Sequence, residues 1–297
     1  MKIPAETRRR VLDATLAAER ELCGELSVTT LADWAGLSDK HFQRAFRAVL
    51  GEAPKAYLRR LQLQRAAYLL KWSELTILEV AVRTGYDTHA GFTKAFTRAY
   101  GHNPQEFRAA SGVAPYLHMG SGPGGAERLE ATPLPVRIEQ VPDQRVAAMR
   151  HVGPVETSVD AWKRLVPWAR QRGLLGPEAV LLGVHNDYWD DNAQDSYRYD
   201  AAVVVPADFK PDDAVNMFTI HGGPVAMTEF RGSLDDADQA WRRLVDQWLP
   251  VSGLQPRSAF AYDCYPVELF TGSAFRRLLQ SLTGYRATLC LPVSKYT

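Results

Sequence analysis

Apolar positions recur every three to four residues up to about residue 110, and nothing there alternates as a strand would, so this part of the chain is predicted to be all α. A short pattern occurs twice within it, as FQRAFRAVLGEAP (42–54) and FTKAFTRAYGHNP (92–104), at an offset of 50 residues. The repeat aligns Phe42 with Phe92, Ala45 with Ala95, Phe46 with Phe96, Gly51 with Gly101, Pro54 with Pro104 and Tyr57 with Phe107, all read as packing positions. Each copy closes a short helix, a glycine turn (Gly36, Gly85) and a longer helix, the helix-turn-helix pattern. Thr30 and Ser38 are expected to cap the helices of the first copy, and Thr76 or Leu75 to open the second. A further helix from about Pro54 to Trp72, roughly 25 Å long, joins the two units.

From Pro135 the period changes. VRIEQV, RVAAMRHV, AVLLGV, YRYDAAVVV, VAMTEF and TLCLPV read as short strands among longer helical stretches, an α+β region. A second repeat aligns RVAAMRHVGPVETSVDAWKRLV with PVAMTEFRGSLDDADQAWRRLV at an offset of 79, matching Trp162 with Trp241 and Leu165 with Leu244. The predicted architecture is multidomain: an all-α double helix-turn-helix domain (1–112), a Gly/Pro/Ser-rich linker (113–133), and an α+β domain of two pseudo-symmetric strand-helix modules (134–297). Two related modules imply a pseudo-two-fold axis and a groove between them.

Charge divides along the same boundary. The net charge is +1 overall, but +5 falls within 1–112 and −4 in the remainder, so the first domain is the one suited to a polyanion. Between the packing positions, Gln43/Thr93 and Arg44/Lys94 lie off the apolar stripe; Arg and Gln suit guanine and adenine edges, Lys and Thr bases or phosphates. His41 is expected at the helix surface or partly packed. The three cysteines are far apart and read as reduced core residues. His151, His185 and His221 stand singly, and HNDYWDDNAQD lacks EF-hand spacing, so no metal or cofactor is expected. No apolar run reaches membrane-span length and MKIPAETRRR lacks the apolar core of a signal peptide, so a soluble cytoplasmic protein is expected.

In the second domain, Trp189 falls near the counterpart position of Glu268, with Tyr188, Tyr197, Tyr199, Tyr262, Tyr265 and Phe270 around them. A buried carboxylate beside aromatic faces is what a lipophilic cation needs. The alternation of PVELF equally allows Glu268 to point into solvent from a strand, with the aromatics as ordinary core.

Residues from about Val28 to Arg108 resemble the DNA-binding domain of the AraC/XylS family of transcriptional regulators, the best match being GYDTHAGFTKAFTRAYGHNPQEFR with its glycine, aromatic, F-x-x-x-F, G-x-x-P and final F-R. The resemblance places reading positions on Lys40, Gln43 and Arg44 in the first unit and on His89, Ala90, Thr93 and Lys94 in the second. Ala90 cannot hydrogen-bond a base edge and Gly91 weakens its helix, so the second unit is expected to lean towards phosphate contacts. Residues 134–293 resemble the GyrI-like, or SOUL-type, effector-binding domain of multidrug-sensing regulators, through RYDAAVVV, GGPVAMTEFRG and DCYPVELF. That resemblance implies that Glu268 contacts cationic ligands in an aromatic pocket. Together the two imply a ligand-responsive transcription factor, with promoter DNA and a small effector as partners and RNA polymerase as a candidate third. The competing readings are a GyrI-like hydrolase using Glu268 as general base, without a visible paired acid or nucleophile, and a protein-binding module.

Overall fold

The computed structural model describes residues 3–20, 26–110, 134–187, 197–257, 260–271, 275 and 285–295. The expected linker (113–133), Cys23, Tyr188 and Trp189 lie outside the described residues. The chain divides into two compact units, an N-terminal helical unit that also takes in residues 212–216, and a second unit of a curled antiparallel sheet with helices.

The helical unit runs α1 (Ala5–Arg20), α2 (Val28–Trp34), α3 (Asp39–Leu50), α4 (Pro54–Trp72), α5 (Ile77–Arg83), α6 (His89–Tyr100) and α7 (Pro104–Ala110). Pro54 opens α4, where its missing N–H costs nothing. The cap of α2 is Ser27 and not Thr30: the Ser27 hydroxyl accepts from the Thr30 amide, which places Thr30 inside the first turn. Ser38 precedes α3 without a side-chain cap bond. Thr76 opens α5 in a reciprocal capping box with Glu79.

The repeat is a repeat of packing. Phe42, Phe46, Phe92 and Phe96 are fully buried. The Phe46–Tyr57 ring pair (5.3 Å, edge-on) has its counterpart in Phe96–Phe107 (5.2 Å, edge-on). Gly51 and Gly101 are different: they cap α3 and α6 in the left-handed conformation (φ 78° and 74°), and a Cβ at either would meet no atom within 4 Å. The backbone, not packing, requires glycine there. Arg108 donates to the carbonyls of Leu70 (3.1 Å) and Leu75 (2.6 Å), tying α7 to the end of α4.

The second unit contains β1 (Arg137–Val141), β2 (Gln144–Gly153), α8 (Val159–Gln171), β3 (Leu181–His185), β4 (Tyr197–Val204), β5 (Asn216–Ile220), β6 (Gly223–Gly232), α9 (Leu234–Arg242), β7 (Leu254–Pro256), β8 (Ala261–Tyr265) and β9 (Tyr285–Lys295). The strand order is β1-β6-β9-β8-β3-β4-β2-β5, with β7 pairing along β9. Read outward from the centre, β8, β9, β6 and β1 mirror β3, β4, β2 and β5, so the sequence repeat is a pseudo-two-fold in space. The axis passes through the β3–β8 pair, where Gly183 faces Asp263. PVELF is not a strand; after Pro266 the chain turns into a 3-10 helix, Val267–Phe270.

One face of the sheet buries Val146, Ala148, Leu182, Val184, Tyr262 and Cys290. Two buried ion pairs fasten the β2–β4 end: Arg150 forks onto Asp200 (2.8 and 2.6 Å), and Arg198 clasps Asp187. Removing either partner alone would strand a buried charge. Gly183 is the tightest point: a Cβ there would lie 2.1 Å from the Tyr199 hydroxyl and 2.9 Å from the Tyr265 ring. Gly183→Ala is therefore expected to destabilise the sheet unit by about 1–3 kcal/mol through overpacking. Urea unfolding followed by near-UV circular dichroism checks this; an unshifted midpoint would show that the two tyrosines repack at no cost.

Candidate nucleic-acid interface and ligand site

In the helical unit, the expected reading side chains Lys40, Gln43 and Arg44 on α3 and His89 and Lys94 on α6 are all exposed, on the side opposite the buried phenylalanines. Ala90 is exposed beside them, and His41 is also at the surface. Thr93 differs: its hydroxyl is buried without a hydrogen-bond partner among the described residues. α3 thus offers an arginine, a glutamine and a lysine to a groove, whereas α6 offers one lysine and one histidine around small residues.

In the sheet unit, the alternation of β8 sends Asp263 and Tyr265 to one face and Tyr262 and Cys264 to the other. On the first face a cage closes around Asp263. Trp241 of α9 donates its indole N–H to Oδ1 at 3.2 Å, while the Tyr265 hydroxyl at 2.8 Å and His185 Nε2 at 2.9 Å reach Oδ2. His185 Nδ1 is bonded in turn to the Tyr197 hydroxyl. Trp162 of α8, the repeat partner of Trp241, donates to the Tyr199 hydroxyl at 2.9 Å and stacks on Phe270 at 4.3 Å. Tyr265 meets both Trp162 and Phe270 edge-on.

Of the expected ligand residues, the structure therefore brings together Tyr197, Tyr199, Tyr265 and Phe270, all buried. Glu268 is not the caged carboxylate. It lies on the 3-10 turn of Phe270 with its side chain 70% exposed, 3.6 Å from Arg286. Tyr262 faces the opposite core. The sequence reading missed Asp263, His185, Trp162 and Trp241 as site residues. His185 looked solitary because its partner is 78 positions away; the tryptophan repeat and the Asp-x-Tyr alternation of β8 were the signals available. Among the described residues no group of three or more His, Cys, Asp and Glu could hold a metal, and no helix is long and apolar enough to cross a membrane. Burial, with the charge of Asp263 beside it, pushes the Cys264 thiol up to about 11, and it packs as a neutral thiol.

Residues 31–110 match the helix-turn-helix domain family, and residues 134–269 match the GyrI-like small molecule binding domain. The chain carries an AraC-type helix-turn-helix domain at its N-terminus and a GyrI-like domain at its C-terminus. The transcriptional regulator Rob of Salmonella typhimurium is 32% identical over 115 residues, covering 37% of this chain and 40% of Rob. The HTH-type transcriptional regulator AlkR of Acinetobacter baylyi is 35% identical over 85 residues, covering 29% of this chain and 28% of AlkR. The chain thus spans well under half the length of these curated relatives. Among solved structures, the DNA-binding domain of AdpA in complex with a target DNA is 32% identical, with a TM-score of 0.32, covering 34% of this chain and 90% of that one.

Burial first, and then the charge of Asp187 at Tyr197 and of Asp263 at Tyr199, push the two phenols well above their ordinary value. The folded state then holds these protons more tightly than the unfolded chain. Their contribution to stability is complete below about pH 10 and is lost as the pH rises beyond it. The urea midpoint of the sheet unit is expected to fall between pH 9 and 11, and less steeply in Tyr197→Phe; identical midpoints at both pH values would contradict the burial of these phenols.

Proposed function

We propose that the chain is a one-component transcription regulator that binds double-stranded promoter DNA through its two helix-turn-helix units and is controlled by a small molecule bound in the GyrI-like domain. The observation that carries the effector half is the carboxylate of Asp263, 2% exposed and walled by tryptophan and tyrosine rings. A carboxylate set among π faces is the environment a lipophilic cation matches. Phe270 is 1% exposed and closes the cage against Trp162, so a ligand enters by displacing it. In this reading Asp263 is the inner carboxylate and Glu268, two residues before Phe270, the outer one at the surface. Saturable quenching of tryptophan fluorescence by tetraphenylphosphonium is expected, weakened tenfold or more in Asp263→Asn and less in Glu268→Gln, with the cation recovered unchanged. No binding, or a loss confined to Glu268→Gln, would contradict the inner-carboxylate assignment; a consumed ligand would favour the hydrolase.

On the DNA side, Lys40, Gln43 and Arg44 are assigned to base reading, and His89, Thr93 and Lys94 to the second groove segment. Thr93 can take part only if its buried hydroxyl turns outward. Binding one face of the duplex with two units on one chain removes the need for a dimer, since successive major-groove segments lie about 34 Å apart. Arg44→Ala is expected to cost about 1–3 kcal/mol at a specific site and to relax one base preference. Competition binding against selected and random duplexes measures both; equal losses on the two would remove Arg44 from base reading.

A further inference from the structure

The two helix-turn-helix units differ in a way their shared pattern conceals. In the first unit α1 packs along α3. In the second, the corresponding helices α4 and α6 leave between them a groove of about 700 Å³, floored by Leu63 and bounded at the turn by Tyr86. Three cations line it: Arg59 from α4, and Lys94 and Arg98 one turn apart on α6. All three are exposed and none has an ion-pair partner among the described residues. Asp87 is the acid on the same lining. At the repeat offset of 50, the counterpart of Arg98 is Ala48, and that of Arg59 is Arg9, which pairs with Glu6 at 2.7 Å. At these two positions the first unit therefore does not repeat the unpaired arginines that line the groove of the second.

Resting on the DNA-binding reading above, we propose that this groove seats the sugar-phosphate backbone of the duplex, with Arg59 and Arg98 as phosphate contacts. Three cations against the single carboxylate of Asp87 leave the groove lining net positive, which matches a polyanion, and one of them, Lys94, belongs to the expected reading face, so the groove continues that face onto the joining helix. Gly91 fits the same role. It lines the groove one turn before Lys94, where its lack of a side chain lets the backbone approach α6, although glycine weakens a helix interior. The first unit then reads sequence, and the second anchors the protein through charge.

Anisotropy titrations of the full-length protein with a fluorescein-labelled 30-base-pair random duplex at several salt concentrations test this. Removing one phosphate contact lowers the slope of log Kobs against log salt by about 0.9. Arg59→Ala and Arg98→Ala are each expected to lose about that much slope and several-fold affinity, while Arg98→Lys and Lys163→Ala, on α8 of the sheet unit, keep the wild-type slope. Unchanged slopes in both alanine variants, with wild-type protein binding the duplex, would overturn the groove assignment alone. Absence of duplex binding by the wild type would overturn it together with the DNA-binding reading. Saturable decanoate binding lost in Arg59→Ala, with the duplex slope intact, would assign the groove to a small amphipathic anion instead.

Discussion

The pairing of β3 with β8 is the contact on which the C-terminal unit depends. It joins the two strand-helix modules edge to edge at their pseudo-two-fold axis and sets Gly183 opposite Asp263. The missing side chain on one strand and the carboxylate on the other act together. Tyr199 and Tyr265 close over Gly183, and Asp263, buried by that closure, finds hydrogen-bond partners in Trp241, Tyr265 and His185. A carboxylate placed there without those partners would be far more costly to bury. A side chain at 183 would push apart the rings that enclose it. Duplication supplied a tryptophan from each module, and divergence at the axis gave the pair one glycine and one acid.

The helical unit shows the same economy of repetition followed by divergence. Its packing positions are preserved between copies, down to the edge-on ring pairs Phe46–Tyr57 and Phe96–Phe107, while the exposed positions are free to differ. Arg44 has become Lys94, His41 has become Gly91, and Ala48 has become Arg98. The proposed division of labour between base reading and phosphate anchoring rests on those exposed substitutions. For an effector to alter such binding, it must bind one arrangement of the protein more tightly than another; in the proposed reading, displacement of Phe270 from the cage would supply the second arrangement.

Much of this was legible in the chain because periodic burial is a local signal. The helices, the helix from Pro54 to Trp72, six of the strands and both internal repeats follow from spacing alone. Three strands escaped: β5 and β7 are short or only partly apolar, and β8 is broken by Asp263, whose burial depends on partners from α9 and β3. The same non-locality misled the site. Glu268 drew attention because PVELF reads as alternating, yet Pro266 directs the chain into a 3-10 turn that presents Glu268 to solvent. Asp263, five residues earlier, offered only the short Asp-x-Tyr alternation of β8. Which of two neighbouring acids is buried was decided by the register of β8 against β3, and register across 80 residues is not written in any window of sequence.

Hydrogen–deuterium exchange of the full chain with and without saturating tetraphenylphosphonium tests the central claim that ligand meets protein at the caged carboxylate. If Asp263 is the inner contact, protection changes concentrate in Leu181–His185, Ala261–Tyr265 and the Val267–Phe270 turn. Changes that spare β3 and β8 while appearing elsewhere in the bound protein would contradict it.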